Sequence, residues 1–146
     1  MIKLIFSIVL LSLNIYSSQI IYTSEFIDVE RKIVVKDSSI IIDNGIVSSI
    51  EKGFIKVDKD YSVIDLRGYS VMPGLMDMHV HFGQEYKSKA ERPIKIERET
   101  EAILATAHAD ITLKSGFTTV RQVGDSGFVS ISLRDAIAEA SVNGPR

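Results

Sequence analysis

The chain of 146 residues contains no cysteine. That excludes disulfide frameworks, thiolate metal sites and cysteine nucleophiles together. Positive charge is not in excess either. Lys and Arg number 17 against 19 Asp and Glu, a net charge of -2, so no surface built to neutralise nucleic-acid phosphates is indicated. No apolar run reaches the roughly 20 residues that a membrane-spanning helix requires. Internal repeats and low-complexity tracts are also missing. What is present is 45% hydrophobic and 25% charged, ordinary for a globular chain and too apolar for a disordered one. The length suits one modest domain.

The N-terminus reads as a leader. Met1-Ile2-Lys3 is a short positive start, Leu4 to Leu13 is apolar but for Ser7 and Ser12, and Asn14 to Gln19 turns polar around Ser17 and Ser18. This order is that of a secretory signal peptide over residues 1–18, and its removal leaves about 128 residues to fold. The competing reading is a buried strand or helix of the mature fold, but no turn or amphipathic pattern joins the run to the residues after it. A secreted or periplasmic location is expected, with no stable membrane span once the leader is gone.

Residues 19–72 are β-rich. Ile33-Val34-Val35 and Ile40-Ile41-Ile42 are β-branched runs, and Asp43-Asn44-Gly45 before Ile46 is a hairpin signal. Val63 to Leu66 predicts a strand ending at Arg67-Gly68, and Tyr69 to Met72 another ending at Pro73-Gly74. Short strands with turns between them predict a portion of a small β-sandwich. Beyond residue 73 the rhythm changes to strand, helix, strand, helix. Leu75 to His81 predicts a strand, and Phe82 to Pro93 a polar loop. Glu97 to Ser115 predicts a helix with Ile103, Ala107 and Ile111 on one face and Gly116 as its stop. Phe117 to Val123, a predicted strand, and the stretch from Ile131 to Ala140, a helix with Ala136, Ile137 and Ala140 on one face, complete two βα units of an α/β fold.

The chemistry is concentrated in Met76-Asp77-Met78-His79-Val80-His81. Alternation along a strand places Asp77, His79 and His81 on one face and Met76, Met78 and Val80 on the other. Histidines at i and i+2 have Cα atoms about 6.6–6.8 Å apart, and their imidazoles can converge on one ion at about 2.0–2.1 Å each. The alternative is a pair of structural histidines capping a strand. Two on one face at a strand's C-terminal end favour ligation, because barrel enzymes build their sites there. The third histidine, His108, lies between Ala107 and Ala109 in the first helix and reads as a surface or interface residue. The charged loop from Glu85 to Glu101 reads as a solvated βα loop, the alternative being a loop that covers a barrel site and contacts substrate.

These residues carry a resemblance. Val63-Ile64-Asp65-Leu66-Arg67-Gly68 followed by Val71-Met72-Pro73-Gly74-Leu75-Met76-Asp77-Met78-His79-Val80-His81 resembles the first-strand signature of the amidohydrolase superfamily. Ser115 to Arg121 and the ending from Leu133 to Arg146 resemble the branch of imidazolonepropionase-like enzymes and X-Pro dipeptidases. The resemblance implies a distorted (β/α)8 metal-dependent hydrolase barrel with a small flanking β-sandwich. It implies one or two divalent ions, commonly zinc, and hydrolysis of an amide, peptide or cyclic C–N bond by hydroxide that the metal activates. His79 and His81 match the first two metal ligands, and Asp77 a supporting position. Lys114 does not occupy the family's bridging-lysine position, and Gln122 stands where relatives often carry Asp, with Asp125 near it.

A barrel needs eight βα units and usually about 250 residues, so the barrel is incomplete in this chain. The bridging lysine, later histidines and catalytic aspartate are expected beyond Arg146. No catalytic residue is therefore assigned within the chain. The expected function is that of a hydrolase fragment, the alternative an inactive remnant with at most weak metal or partner binding. Expected partners are a small-molecule or small-peptide substrate and no nucleic acid, with homo-oligomerisation left open.

Overall fold

A computed structural model describes residues 18–57, 60–83, 97–125 and 127–146. The leader, except for Ser18, and most of the charged loop after Gly83 lie outside the described residues. The chain divides into two compact units, Met1–Pro73 and Gly74–Arg146.

The first unit is one four-stranded sheet. Its strands are β1 (Gln19–Asp28), β2 (Ile33–Asp43), β3 (Ile46–Lys52) and β4 (Ser62–Val71), in the order β3-β2-β1-β4. β2 runs antiparallel to β1 and β3, whereas β4 runs parallel to β1. The hairpin between β2 and β3 turns where the residue types predict it. Asn44 and Gly45 have φ of 53° and 77°, the left-handed pair that a tight two-residue turn demands. One sheet stands where a sandwich portion was expected, so the described residues supply a single layer.

The predicted break at Arg67-Gly68 is a bulge inside β4. Thr23 pairs with Leu66 and Glu25 with Ser70, so β4 carries two extra residues there. The strand survives because neighbouring hydroxyls take up the polar groups that the bulge releases. Gly68, at φ 99°, donates its N–H to Ser24 Oγ at 2.7 Å. The buried Thr23 hydroxyl lies 2.8 Å from the carbonyls of both Tyr69 and Glu25, which share its single proton. Ser39 has a similar task, donating to Gly53 O at 2.6 Å and accepting from Ile55 N at 3.1 Å.

The second unit contains β5 (Leu75–Val80), α1 (Arg98–Lys114), β6 (Phe117–Gln122) and α2 (Val129–Ala138), with β5 and β6 parallel. After α2 the chain returns to β6. Arg146 N donates to Thr118 O at 2.9 Å, and Val120 N donates to Arg146 O at 2.8 Å, the two bonds of a parallel rung beside Thr119.

The core of this unit is Phe82, Ala105, Ala109, Val129 and Leu133, with Val80, Val120, Ile137 and Val142 against it. The inward face of α1 is therefore Glu101, Ala105 and Ala109, not the predicted Ile103 stripe. Ile103 and Ile111 are 71% and 59% exposed. Small residues face inward because the returning chain crosses them closely: a Cβ on Gly144 would sit 3.0 Å from that of Ala109 and 2.4 Å from Ile137 Cδ1. On α2 the buried face is Val129 and Leu133, continued by Ile137, while Ala140 lies past the helix end. Met76 and Met78 are exposed as well. Helix packing reaches β5 only at Val80, so the expected apolar face of that strand is left uncovered.

Candidate metal centre

The site is the C-terminal end of β5 beside that of β6. Two irregularities set it up. β6 carries one extra residue near Thr118, and β5 one extra residue between Asp77 and Val80. The second bulge frees the backbone of His79, and Asp77 Oδ1 accepts that N–H at 2.9 Å. Asp77 is half-buried, and His79 and His81 are exposed. The two imidazoles lie side by side, ring centroids 5.3 Å apart and planes 66° apart. The predicted trio is thus brought together, with Asp77 bonded to backbone.

Several neighbouring groups hold this strand end. His81 Nδ1 lies 3.1 Å from Gly124 O. A carbonyl only accepts, so Nδ1 carries a proton, and in the neutral ring the lone pair is then on Nε2. Gln122 Nε2 donates to the same carbonyl at 2.6 Å, and Gln122 Oε1 accepts from Phe82 N at 3.0 Å. On the other side His108 Nδ1 donates to Phe82 O at 2.6 Å. His108 is accordingly half-buried between α1 and the residue after His81. Gly83 closes against α1, where a Cβ would meet Glu101 Cγ at 2.1 Å.

The other candidates separate by role. Asp125 accepts the backbone N–H of Ser130 in the first turn of α2, so it caps a helix, where a carboxylate suits the positive end of the helix dipole. Lys114 pairs with Asp110 one turn back on α1, and that cation holds the Asp110 carboxyl below its ordinary value. Among the described residues no group of three or more His, Cys, Asp or Glu side chains can hold a metal ion. His79 and His81 fit two ligand positions of a divalent site: exposed imidazoles side by side at a strand end, with His81 Nδ1 directed at Gly124 O.

Parallel βα units with a histidine pair at the first strand's end define the class, and sequence comparison supplies the family. Residues 70–146 match the Amidohydrolase family. The chain belongs to the amidohydrolase family. It is 34% identical over 108 residues to a dihydroorotase of Geobacter metallireducens, covering 71% of this chain and 23% of that protein. Over 49 residues it is 47% identical to a dihydroorotase of Methanothermobacter thermautotrophicus, covering 32% of this chain and 11% of that protein. Among solved structures, a Xaa-Pro dipeptidase with methionine bound in its active site is 60% identical, with a TM-score of 0.82. That match covers 89% of this chain and 32% of the dipeptidase. A prolidase complexed with N-methylphosphonate-L-proline is 27% identical at a TM-score of 0.72, over 89% of this chain and 31% of the prolidase. The chain spans about a third of the solved relatives' length.

Proposed function

We propose that these residues form part of a metal-dependent hydrolase that cleaves a C–N bond, with Xaa-Pro dipeptides as the substrate class. The observation that carries the reading is the histidine pair at the end of β5, with His81 Nε2 left as the lone-pair nitrogen. The 60% identity to a Xaa-Pro dipeptidase supports the substrate class. In this reading β5, β6 and the rung at Arg146 begin a (β/α)8 barrel, and the sheet of the first unit is one layer of a small β-sandwich. Residues 1–18 act as an export leader, and N-terminal sequencing of the mature protein tests that directly.

His79 and His81 hold a divalent ion, zinc being the expected one, and Asp77 keeps the bulged backbone of His79 in place. When bound, such an ion polarises a carbonyl and lowers the pKa of water, making hydroxide available near neutral pH. Gly124 O orients the His81 imidazole and takes its Nδ1 proton, leaving the Nε2 side to ligate, while Asp77 holds His79 through its backbone N–H. The test is to deplete the protein containing this chain of metal, restore zinc, and compare cleavage of Xaa-Pro dipeptides with ring opening of dihydroorotate. Zinc-dependent dipeptide cleavage supports the proposal. Zinc-dependent action on dihydroorotate alone removes the substrate class, and full activity in the doubly substituted His79→Ala, His81→Ala protein removes the site.

A second reading rests on the same residues. Catalytic zinc normally takes three protein ligands, and the described residues bring together only two histidines. The 146 residues by themselves are then inactive and bind metal weakly. Turnover of a dipeptide by the isolated chain with added zinc overturns that reading.

A further inference from the structure

We propose that Gln122 is a positioning residue for His81, fixing both the tautomer and the direction of its ring. The proposal rests on the reading of His81 as a ligand, but its structural part stands apart from any metal. Gln122 closes β6, and its amide spans two backbone groups around His81. Oε1 accepts from the Phe82 N–H at 3.0 Å, and Nε2 donates to Gly124 O at 2.6 Å. Gly124 O in turn accepts the Nδ1 proton of His81 at 3.1 Å. One side chain thereby holds the peptide after His81 and the carbonyl that sets its proton. His108 completes the clamp by donating to Phe82 O at 2.6 Å.

The Gln122 amide meets both demands at once, with an acceptor and a donor on one planar group. A carboxylate accepts from Phe82 N–H but has no proton for Gly124 O, and an apolar side chain offers neither. With Gly124 O held, His81 keeps its proton on Nδ1 and presents Nε2 as a donor atom. With that carbonyl free to turn, the ring samples the tautomer whose Nε2 carries a proton and cannot ligate. Outer partners of this kind contribute to metal sites by orienting the ligand and fixing its tautomer.

The experiment records long-range nitrogen–proton spectra of the His81 imidazole in the 146-residue chain without metal, for the wild type, Gln122→Met and Gln122→Glu. Zinc affinity is then measured by competition with a chelating dye. The wild type is expected to show the proton on Nδ1. Gln122→Met is expected to mix the tautomers, shift the Phe82 amide and weaken zinc binding by about 10–100-fold. Gln122→Glu keeps the Phe82 amide in place and loses the tautomer preference, so it carries the test if the methionine variant does not fold. A wild type protonated on Nε2, or variants whose tautomer and affinity stay unchanged, overturn the proposal. If zinc fails to bind a wild type whose tautomer depends on Gln122, zinc ligation by these 146 residues alone falls and the positioning role stands.

Discussion

Both units are built on β-strands, yet they are held together by different means. In the sheet of the first unit the fully buried side chains are Ile20, Thr23, Ser38 and Ser39. Most of that interior is hydroxyl, while Ile33, Val34, Ile46, Val47 and Ile50 are exposed. In the second unit helices cover β6 and make an apolar cluster around Phe82 and Leu133. The first therefore depends on backbone ladders and hydroxyl bonds, which are individually modest. The second depends on removing apolar surface from water, and its histidine pair lies at a strand end. The contrast explains where the chemistry sits. The two imidazoles stand at the end of β5, next to the helix-covered β6, whereas the four-stranded sheet shows no comparable cluster among its described residues.

The contrast can be broken by substitution. The largest effect is expected at Leu133→Ala, which opens a cavity in the apolar cluster and lowers the stability of the second unit by about 3 kcal/mol. Urea unfolding with amide exchange should show the loss in α1, α2 and β6, with the first sheet unaffected. Thr23→Val comes next. It keeps the shape but leaves Tyr69 O in the β4 bulge and Glu25 O on β1 without their shared donor, at a cost of about 1–2 kcal/mol, read as faster exchange around Tyr69. Ser38→Ala sharpens the same point by its smallness. The Ser38 hydroxyl is buried with no partner among the described residues, so its removal should be neutral or slightly stabilising in the same melts.

The smallest effect concerns the Arg67–Asp65 pair on β4. The Arg67 guanidinium bonded to Asp65 holds that carboxyl at about 2, against an ordinary 3.8. The native form is the weaker base, so whatever the pair contributes is present above 3.8 and disappears as pH falls through about 2. The pair is solvent-exposed, and screening keeps its contribution small. A carboxyl titration followed by NMR should show the depressed midpoint, and Arg67→Gln should return it toward the ordinary value.

Features governed by neighbouring residues were legible in the chain. Asp43-Asn44-Gly45 announces its hairpin, Gly116 stops α1 at φ 94°, and the His79–His81 spacing puts the two imidazoles side by side. Features governed by distant residues were not. Arg67-Gly68 reads as a turn, but Ser24 and Thr23 on β1 make it a bulge. Ile103 and Ile111 read as the buried stripe of α1, but the close crossing at Gly144 selects the Ala105–Ala109 face instead. Gln122 reads as a departure from the family pattern, and only the fold brings it within reach of Phe82, forty residues away in sequence. His108 stays hidden for the same reason. Nothing local signals that its ring will meet the carbonyl of Phe82, the residue after His81.

The most direct test of the metal centre is a zinc titration followed at the His79 and His81 imidazole nitrogens. Nε2 of His81 is predicted to shift on coordination while Nδ1 keeps its proton on Gly124 O. His79 should shift with it, and His81→Ala should abolish both responses. Zinc that leaves both imidazoles unmoved, or that binds equally well without His81, would contradict the assignment.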